Sequence, residues 1–140
     1  MKLGIGSYTY GWETGTYGPA LTDGARYLTA HDLIHRAENL GVDVVQICVR
    51  PDLTELAKPE LEDLAAEAAE RHIDIELGTV GCDPQQMLQF LGIARILGAR
   101  LVRTLLIEPS PGLVIEEESF RQVLERFKDV HVTIAVENHE

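Results

Sequence analysis

No stretch of this sequence approaches the roughly 18 to 20 consecutive apolar residues that a membrane-spanning helix requires, although 45% of its residues are hydrophobic. The apolar material is cut into short periodic blocks, which suits a packed core. Positive charge is also scarce. Twelve Lys and Arg stand against 23 Asp and Glu, for a net charge of −11. Such a surface repels phosphate backbones, and the basic residues do not cluster, so no nucleic-acid partner is expected. Cysteine occurs twice, as Cys48 and Cys82, far apart and without CxxC spacing. That excludes a disulfide-dense secreted scaffold and points to a cytoplasmic protein with two reduced thiols, each an inert small hydrophobe or a surface thiol. Met1 to Ile5 is too short and too glycine-rich to read as a signal peptide. At 140 residues, one domain over 1–140 is the expectation.

What is present alternates between two periods. Leu3 to Thr9 reads as a first strand, followed by a glycine-rich loop from Tyr10 to Leu28. Thr29 with Asp32 three residues on reads as a helix N-cap, and Ala30, Leu33, Ile34, Ala37 and Leu40 form one apolar face that Gly41 closes. Val42 to Val49 is a β-branched run, hence a buried strand. Pro59 opens a second helix with Leu61, Leu64, Ala65, Ala68 and Ala69 on its face. Ile73 to Leu77 is the third strand. Asp83-Pro84 with Gln86 starts a third helix, faced by Met87, Leu88, Leu91, Ala94 and Leu97 and capped by Gly98. Arg100 to Ile107 is the fourth strand. Glu116, Glu117 and Glu118 favour a helix start, with Phe120, Val123, Leu124 and Phe127 on its buried face. Val132 to Glu137 is the fifth strand.

Five strands separated by four helices, at about 30 residues per unit, imply parallel strands with right-handed crossovers. Two architectures use this order: an open flavodoxin-like sheet, and the first part of an eight-stranded barrel that typically needs about 250 residues. Periodicity does not separate them, and length alone favours the open sheet. The receiver form of that sheet wants paired acids after strand one and a lysine after strand five. Here those places hold Ser7-Tyr8-Thr9 and Asn138-His139.

Four short motifs decide for the barrel. Leu3 to Trp12 (LGIGSYTYGW) resembles the opening of sugar phosphate isomerase/epimerase proteins of the xylose-isomerase-like barrel family. Ala37 to Asp43, running into Val45-Gln46, resembles that family's first helix and second strand. Ile75 to Thr79 resembles its third strand, and Val136 to Glu140 (VENHE) is similar to the end of its fifth. The fold implied is α/β, a parallel (β/α) partial TIM barrel with about five strands and four helices of a (β/α)8 barrel, of which this chain is the N-terminal part. The chemistry implied is proton transfer at carbons next to a sugar carbonyl, shared between two carboxylates and assisted by a divalent metal (Mn, Mg, Co or Zn). The family's four metal ligands lie on strands five to eight. Glu137 matches the first, and the other three would lie beyond residue 140. A metal needs roughly three or more protein ligands to be held tightly. The expectation is therefore an isomerase or epimerase of sugars in a longer parent, with no turnover and at most millimolar metal binding by this chain. The alternative is a non-catalytic, self-associating half-barrel.

Strand parity places Val132, Ile134 and Val136 toward the helices and Thr133, Ala135, Glu137 and His139 toward the barrel interior. Glu137 is thus the candidate catalytic residue and metal ligand, against the plain reading of a solvated carboxylate. His139 joins it as a candidate sugar contact. Gln46 interrupts an apolar strand, and substrate binding and a hydrogen bond to a neighbouring strand are equally good reasons for it. Glu76 and Arg103 are further candidates for the sugar, but a structural ion pair between them is the favoured reading. Tyr8, Tyr10 and Trp12 come at the C-terminal end of strand one, where barrel sites form. Tyr8 and Trp12 are candidate stacking surfaces for a sugar, with core packing the weightier reading for Trp12. His31 and His35 lie four apart on a helix and read as a solvated face rather than a metal pair. Glu13 to Thr16 faintly resembles a phosphate loop, but no helix starts there. Finally, an arc of five strands leaves two edges. Leu3, Ile5, Val132, Ile134 and Val136 would line an apolar seam and favour a homo-oligomer.

Overall fold

The computed structural model describes residues 1–18, 26–81, 83–105, 117–128 and 131–137. Its strands are β1 (Gly4–Gly6), β2 (Val44–Cys48), β3 (Asp74–Val80), β4 (Leu101–Leu105) and β5 (Thr133–Glu137). Its helices are α1 (Ala30–Leu40), α2 (Lys58–Glu70), α3 (Pro84–Leu97) and α4 (Glu117–Phe127), with short 3-10 turns at Ser7–Tyr10 and Leu53–Glu55.

Helix starts follow the capping chemistry of the sequence. The Asp32 amide donates to Thr29 Oγ1 at 3.2 Å while the Thr29 amide donates to Asp32 Oδ2 at 2.8 Å. Both orphan donors at the head of α1 are thereby satisfied. Asp83 Oδ1 accepts from the Gln86 amide at 2.9 Å at the head of α3. In α2 the work passes to Glu60, whose carboxylate accepts from the Ala57 amide at 2.7 Å, and Pro59 sits one residue inside the helix start.

The helix ends share one device. Gly41, His72 and Gly98 take φ values of 65°, 58° and 68°. The next residue's amide (Val42, Ile73, Ala99) then reaches back to the carbonyl of Ala37, Ala68 or Ala94 at 3.1, 2.9 and 2.9 Å. This closure satisfies carbonyls left open at a helix terminus and aims the chain into the next strand. At His72 it does so without glycine.

All strand pairs are parallel, in the order β1-β2-β3-β4-β5. A flavodoxin-like sheet would have placed β1 between β2 and β3. The fold is an arc of five parallel strands and four helices, a partial TIM barrel. Val45, Ile47, Ile75, Leu77 and Val102 point to the helix side and pack with Leu33, Ile34, Ala37, Leu61, Leu64, Met87, Leu91, Ala94 and Val123. Each fully buried Val, Leu, Ile or Met among these contributes roughly 1.5–3 kcal/mol. Alternate strand residues then face the concave side.

Several boundaries and faces differ from the expectation. β1 stops at Gly6, because Ser7 turns into a 3-10 helix and its hydroxyl takes over the pairing. Ser7 Oγ donates to the Cys48 carbonyl at 3.1 Å and accepts from the Cys48 amide at 3.0 Å. β3 runs on through Gly78 to Val80 because β4 pairs with it there. Gly78 is required at its position: a Cβ would stand 2.2 Å from Cys48 Sγ. Leu40, Leu88 and Leu124 are exposed rather than on buried faces. Phe90 and Ile93 complete the buried side of α3 instead. Cys82, Asn138, His139 and Glu140 lie outside the described residues, as do the side chains of Phe120 and Phe127.

Candidate functional site

Parallel register decides which side chains meet on the concave face. Gln46 lies opposite Glu76, Cys48 opposite Gly78, Gly78 opposite Arg103, and Leu105 opposite Glu137. The C-terminal ends of β2 to β5 therefore present Cys48, Gly78, Arg103 and Glu137 as a band, with Gln46 and Glu76 one step deeper.

Arg103 is the hub. Its Nη1 lies 2.7 Å from Glu137 Oε2, and its Nη2 donates toward Cys48 Sγ at 3.6 Å. The reach from β4 back to β2 is open because Gly78, between them, has no side chain. Among the described residues Glu137 Oε2 is buried and has no N–H aligned on it. Its link to Arg103 is thus one of charge and proximity rather than a directed hydrogen bond. The expected Glu76–Arg103 pair does not form. Gly78, not Glu76, is opposite Arg103, and the arginine leans toward the strand end where Glu137 sits. Glu76 Oε2 instead accepts from Gln46 Nε2 at 3.4 Å, and Cys48 Sγ donates to Gln46 Oε1 at 3.5 Å. The amide thus meets a neighbouring strand, while both it and Glu76 stay half-buried on the face.

The 3-10 turn after β1 brings Tyr8 to the same band. Burial raises the pKa of its phenol above the ordinary value, and the fields of Cys48, Arg103, Tyr17 and Glu137 act on it as well. Burial likewise pushes the Cys48 thiol up, against the lowering effect of Arg103. Both groups are therefore held neutral. Tyr8 stacks on Tyr17 at 6.4 Å between centroids, and Trp12 meets Tyr17 edge-on at 5.9 Å. Trp12 is 47% exposed, so core packing is not its role. Tyr17 was not singled out by sequence. It packs over Gly11, where a Cβ would stand 2.1 Å from the Tyr17 ring. Tyr10 instead faces Arg36, whose guanidinium lies 4.4 Å from its ring centroid.

No three metal-ligating side chains gather among the described residues. Glu137 carries a guanidinium against it, and a divalent cation there would have to displace Arg103. The described donor set does not fit such an ion.

Two other features lie away from the band. His31 Nδ1 and His35 Nε2 both meet the carboxylate of Glu67 on α2, the latter at 2.5 Å. The pair is not simply solvated, as expected, but clamps α1 to α2. A cavity of about 540 Å³ opens between the start of α1 and the 3-10 turn before α2, lined by Leu28, Pro51, Leu53 and Leu56 among others. None of Gln46, Glu76, Arg103 or Glu137 lines it. No helix among the described residues is long and apolar enough to cross a membrane.

No family model matches the chain. A curated relative, the 3-oxo-isoapionate decarboxylase of Pectobacterium atrosepticum, is 26% identical over 142 residues, covering 100% of this chain and 50% of that protein. The chain thus spans about half the length of the curated relative it matches. Among solved structures, D-psicose 3-epimerase of Clostridium cellulolyticum H10 with D-tagatose superposes with a TM-score of 0.71 at 20% identity, over 96% of this chain and 51% of that one. A D-psicose 3-epimerase solved in the presence of D-fructose gives 0.70 at 14% identity, over 97% and 52%. The five-stranded arc is the fold of half of such a sugar-epimerase barrel.

Proposed function

We propose that the concave band is a sugar site, and that the chain is the N-terminal part, 1–140, of a sugar or sugar-phosphate isomerase or epimerase. The observation that carries this is the convergence of Glu137, Arg103, Cys48 and Tyr8 at the C-terminal ends of the strands, where barrels of this kind place their sites. Glu137 is the acid–base group of the reading. Its carboxylate accepts a proton from a carbon next to a sugar carbonyl, then returns it. Tyr8, kept as a phenol, donates to a sugar oxygen. Gln46 and Glu76 offer a donor and acceptors to hydroxyl groups, and Trp12 and Tyr17 give flat apolar faces for sugar C–H groups. His139, two residues further along the sequence, is proposed as a further sugar contact. The relative named as a decarboxylase of 3-oxo-isoapionate extends the substrate class to sugar acids. The divalent metal implied by the resemblance belongs, in this reading, to a longer protein, and no step here is routed through it.

Trp12 is the sole tryptophan, which supplies the test. Titration with D-fructose should change its fluorescence saturably, in the millimolar range expected of a few exposed hydrogen bonds. Gln46→Ala should weaken the response. A fluorescence unchanged by sugar would contradict the site. A second reading, a non-catalytic half-barrel that self-associates, is favoured by one observation: Leu3 and Val136, on the two edges of the sheet, are 56% and 42% exposed.

A further inference from the structure

We infer that Arg103 is the anchor for an anionic sugar, its guanidinium taking the carboxylate or phosphate that distinguishes a sugar acid or sugar phosphate from a neutral ketose. The inference rests on the sugar-site reading and narrows its substrate class.

Three observations support it. First, Arg103 is the only basic residue carried by the five strands, in a chain whose net charge is −11. An inward-facing cation on an acidic protein is a local exception, and from the middle of β4 its side chain leans toward the strand end where Glu137 sits. Its side chain is 28% exposed, so it is open to a ligand. Second, its fork is under-used. A guanidinium has five N–H donors in a plane. Among the described residues Nη1 has Glu137 Oε2 at 2.7 Å without alignment, and Nη2 has only the thiol of Cys48, a weak acceptor, at 3.6 Å. A planar oxyanion would accept two parallel N–H bonds from the same group, which is the stronger arrangement. Third, the ground around it is cleared. Gly78 is opposite Arg103 and carries no side chain, so the guanidinium reaches back across β3 to Cys48 on β2.

Glu137 then has a second effect. Its carboxylate holds the guanidinium in place and, by like charge, opposes the incoming anion. Removing that charge should tighten anion binding while leaving a neutral sugar unimproved. A purely structural Arg103–Glu137 pair predicts no such gain.

The experiment titrates the chain with D-gluconate, D-fructose 6-phosphate and D-fructose, reading Trp12 fluorescence and the Nε–Hε proton signal of Arg103. At least one anion should bind about tenfold tighter than D-fructose, the factor one charge-assisted hydrogen bond supplies, and should move the Nε–Hε signal. Which anion does so identifies the head group. Arg103→Met should abolish the preference, Arg103→Lys, which keeps the charge and the fold, should lose most of it, and Glu137→Gln should increase it. Equal binding of all three sugars, with Arg103→Lys indistinguishable from the parent, would overturn the anchor and leave the sugar site standing. Failure of all three to bind the folded chain would overturn both.

Discussion

Arg103 and Glu137 face each other diagonally across β4 and β5, with Nη1 2.7 Å from Oε2, although Ala135 is the direct register partner of Arg103. The long arginine side chain leans up the strand to reach a carboxylate two residues further on. The pair is partly exposed on both sides, so its coupling lies nearer the surface than the buried regime. A double-mutant cycle with Arg103→Met and Glu137→Gln, followed by urea denaturation, should give a coupling of about 1 kcal/mol. A coupling of zero would mean that the two charges meet without consequence.

Glu67 gives the clearest pH dependence. The hydrogen bond from His31 is the largest influence, with that from His35 adding to it, and the carboxyl is lowered from 4.5 to about 2. A carboxylate whose folded pKa is depressed stabilises the fold above its unfolded pKa and loses that contribution as pH falls. The stability difference between the parent and Glu67→Gln should therefore be full above about pH 4.5 and shrink toward pH 2. Near neutrality it should amount to about 3 °C in melting temperature. A difference that stays constant across that window would show that the clamp between α1 and α2 does not depend on the Glu67 charge.

The three helix ends permit a controlled comparison. His72 holds φ 58° where α1 and α3 use Gly41 and Gly98. A left-handed non-glycine residue costs of order 1 kcal/mol. His72→Gly should recover part of it and raise the melting temperature by about 2 °C. Conversely, a Cβ at Gly98 meets nothing within 4 Å. Gly98→Ala should then destabilise by about 1 kcal/mol through backbone conformation alone. Calorimetric melting of both variants checks the pair, and opposite signs are the expected outcome.

The fold was largely legible because the fixing signals are local. Thr29 with Asp32, Asp83 with Gln86, and Gly41 and Gly98 mark helix ends through hydrogen bonds within a few residues, and β-branched runs mark buried strands. The inward direction of Glu137 followed from the two-residue period of a strand. Partnership on the concave face was not legible, because it depends on register. A two-residue difference in register along β3 and β4, which keeps the same face, puts Gly78 rather than Glu76 opposite Arg103, and nothing in either segment states that register. Tyr17 was missed because its contacts with Tyr8 and Trp12 depend on the path of an irregular loop. Glu67 was missed as the partner of His31 and His35 because helix packing, not spacing along the chain, brings α2 to α1.

The two sheet edges predict self-association. Ile5, Val132 and Ile134 are partly covered by the core, while Leu3 and Val136 remain exposed. The outer backbone edges of β1 and β5 call for partners. Pairing β5 of one chain with β1 of a second would be parallel and could close on a two-fold axis. Light scattering should find a dimer or larger species at micromolar concentration, and Val136→Lys should shift it toward monomer. A monodisperse monomer with a single cooperative melt would argue against the seam.

The most direct measurement is where a sugar touches the protein. Backbone amide shifts of the isotope-labelled chain, followed during titration with D-fructose and D-gluconate, should move together at Tyr8, Gln46, Cys48, Arg103 and Glu137, the band where β1 to β5 converge. The α1–α2 cavity of about 540 Å³, lined by Leu28, Leu53 and Leu56 among others, should stay still. Shifts centred on Leu28, Leu53 and Leu56 with Arg103 and Glu137 unmoved would place ligand binding outside the barrel face and contradict the sugar site proposed for it.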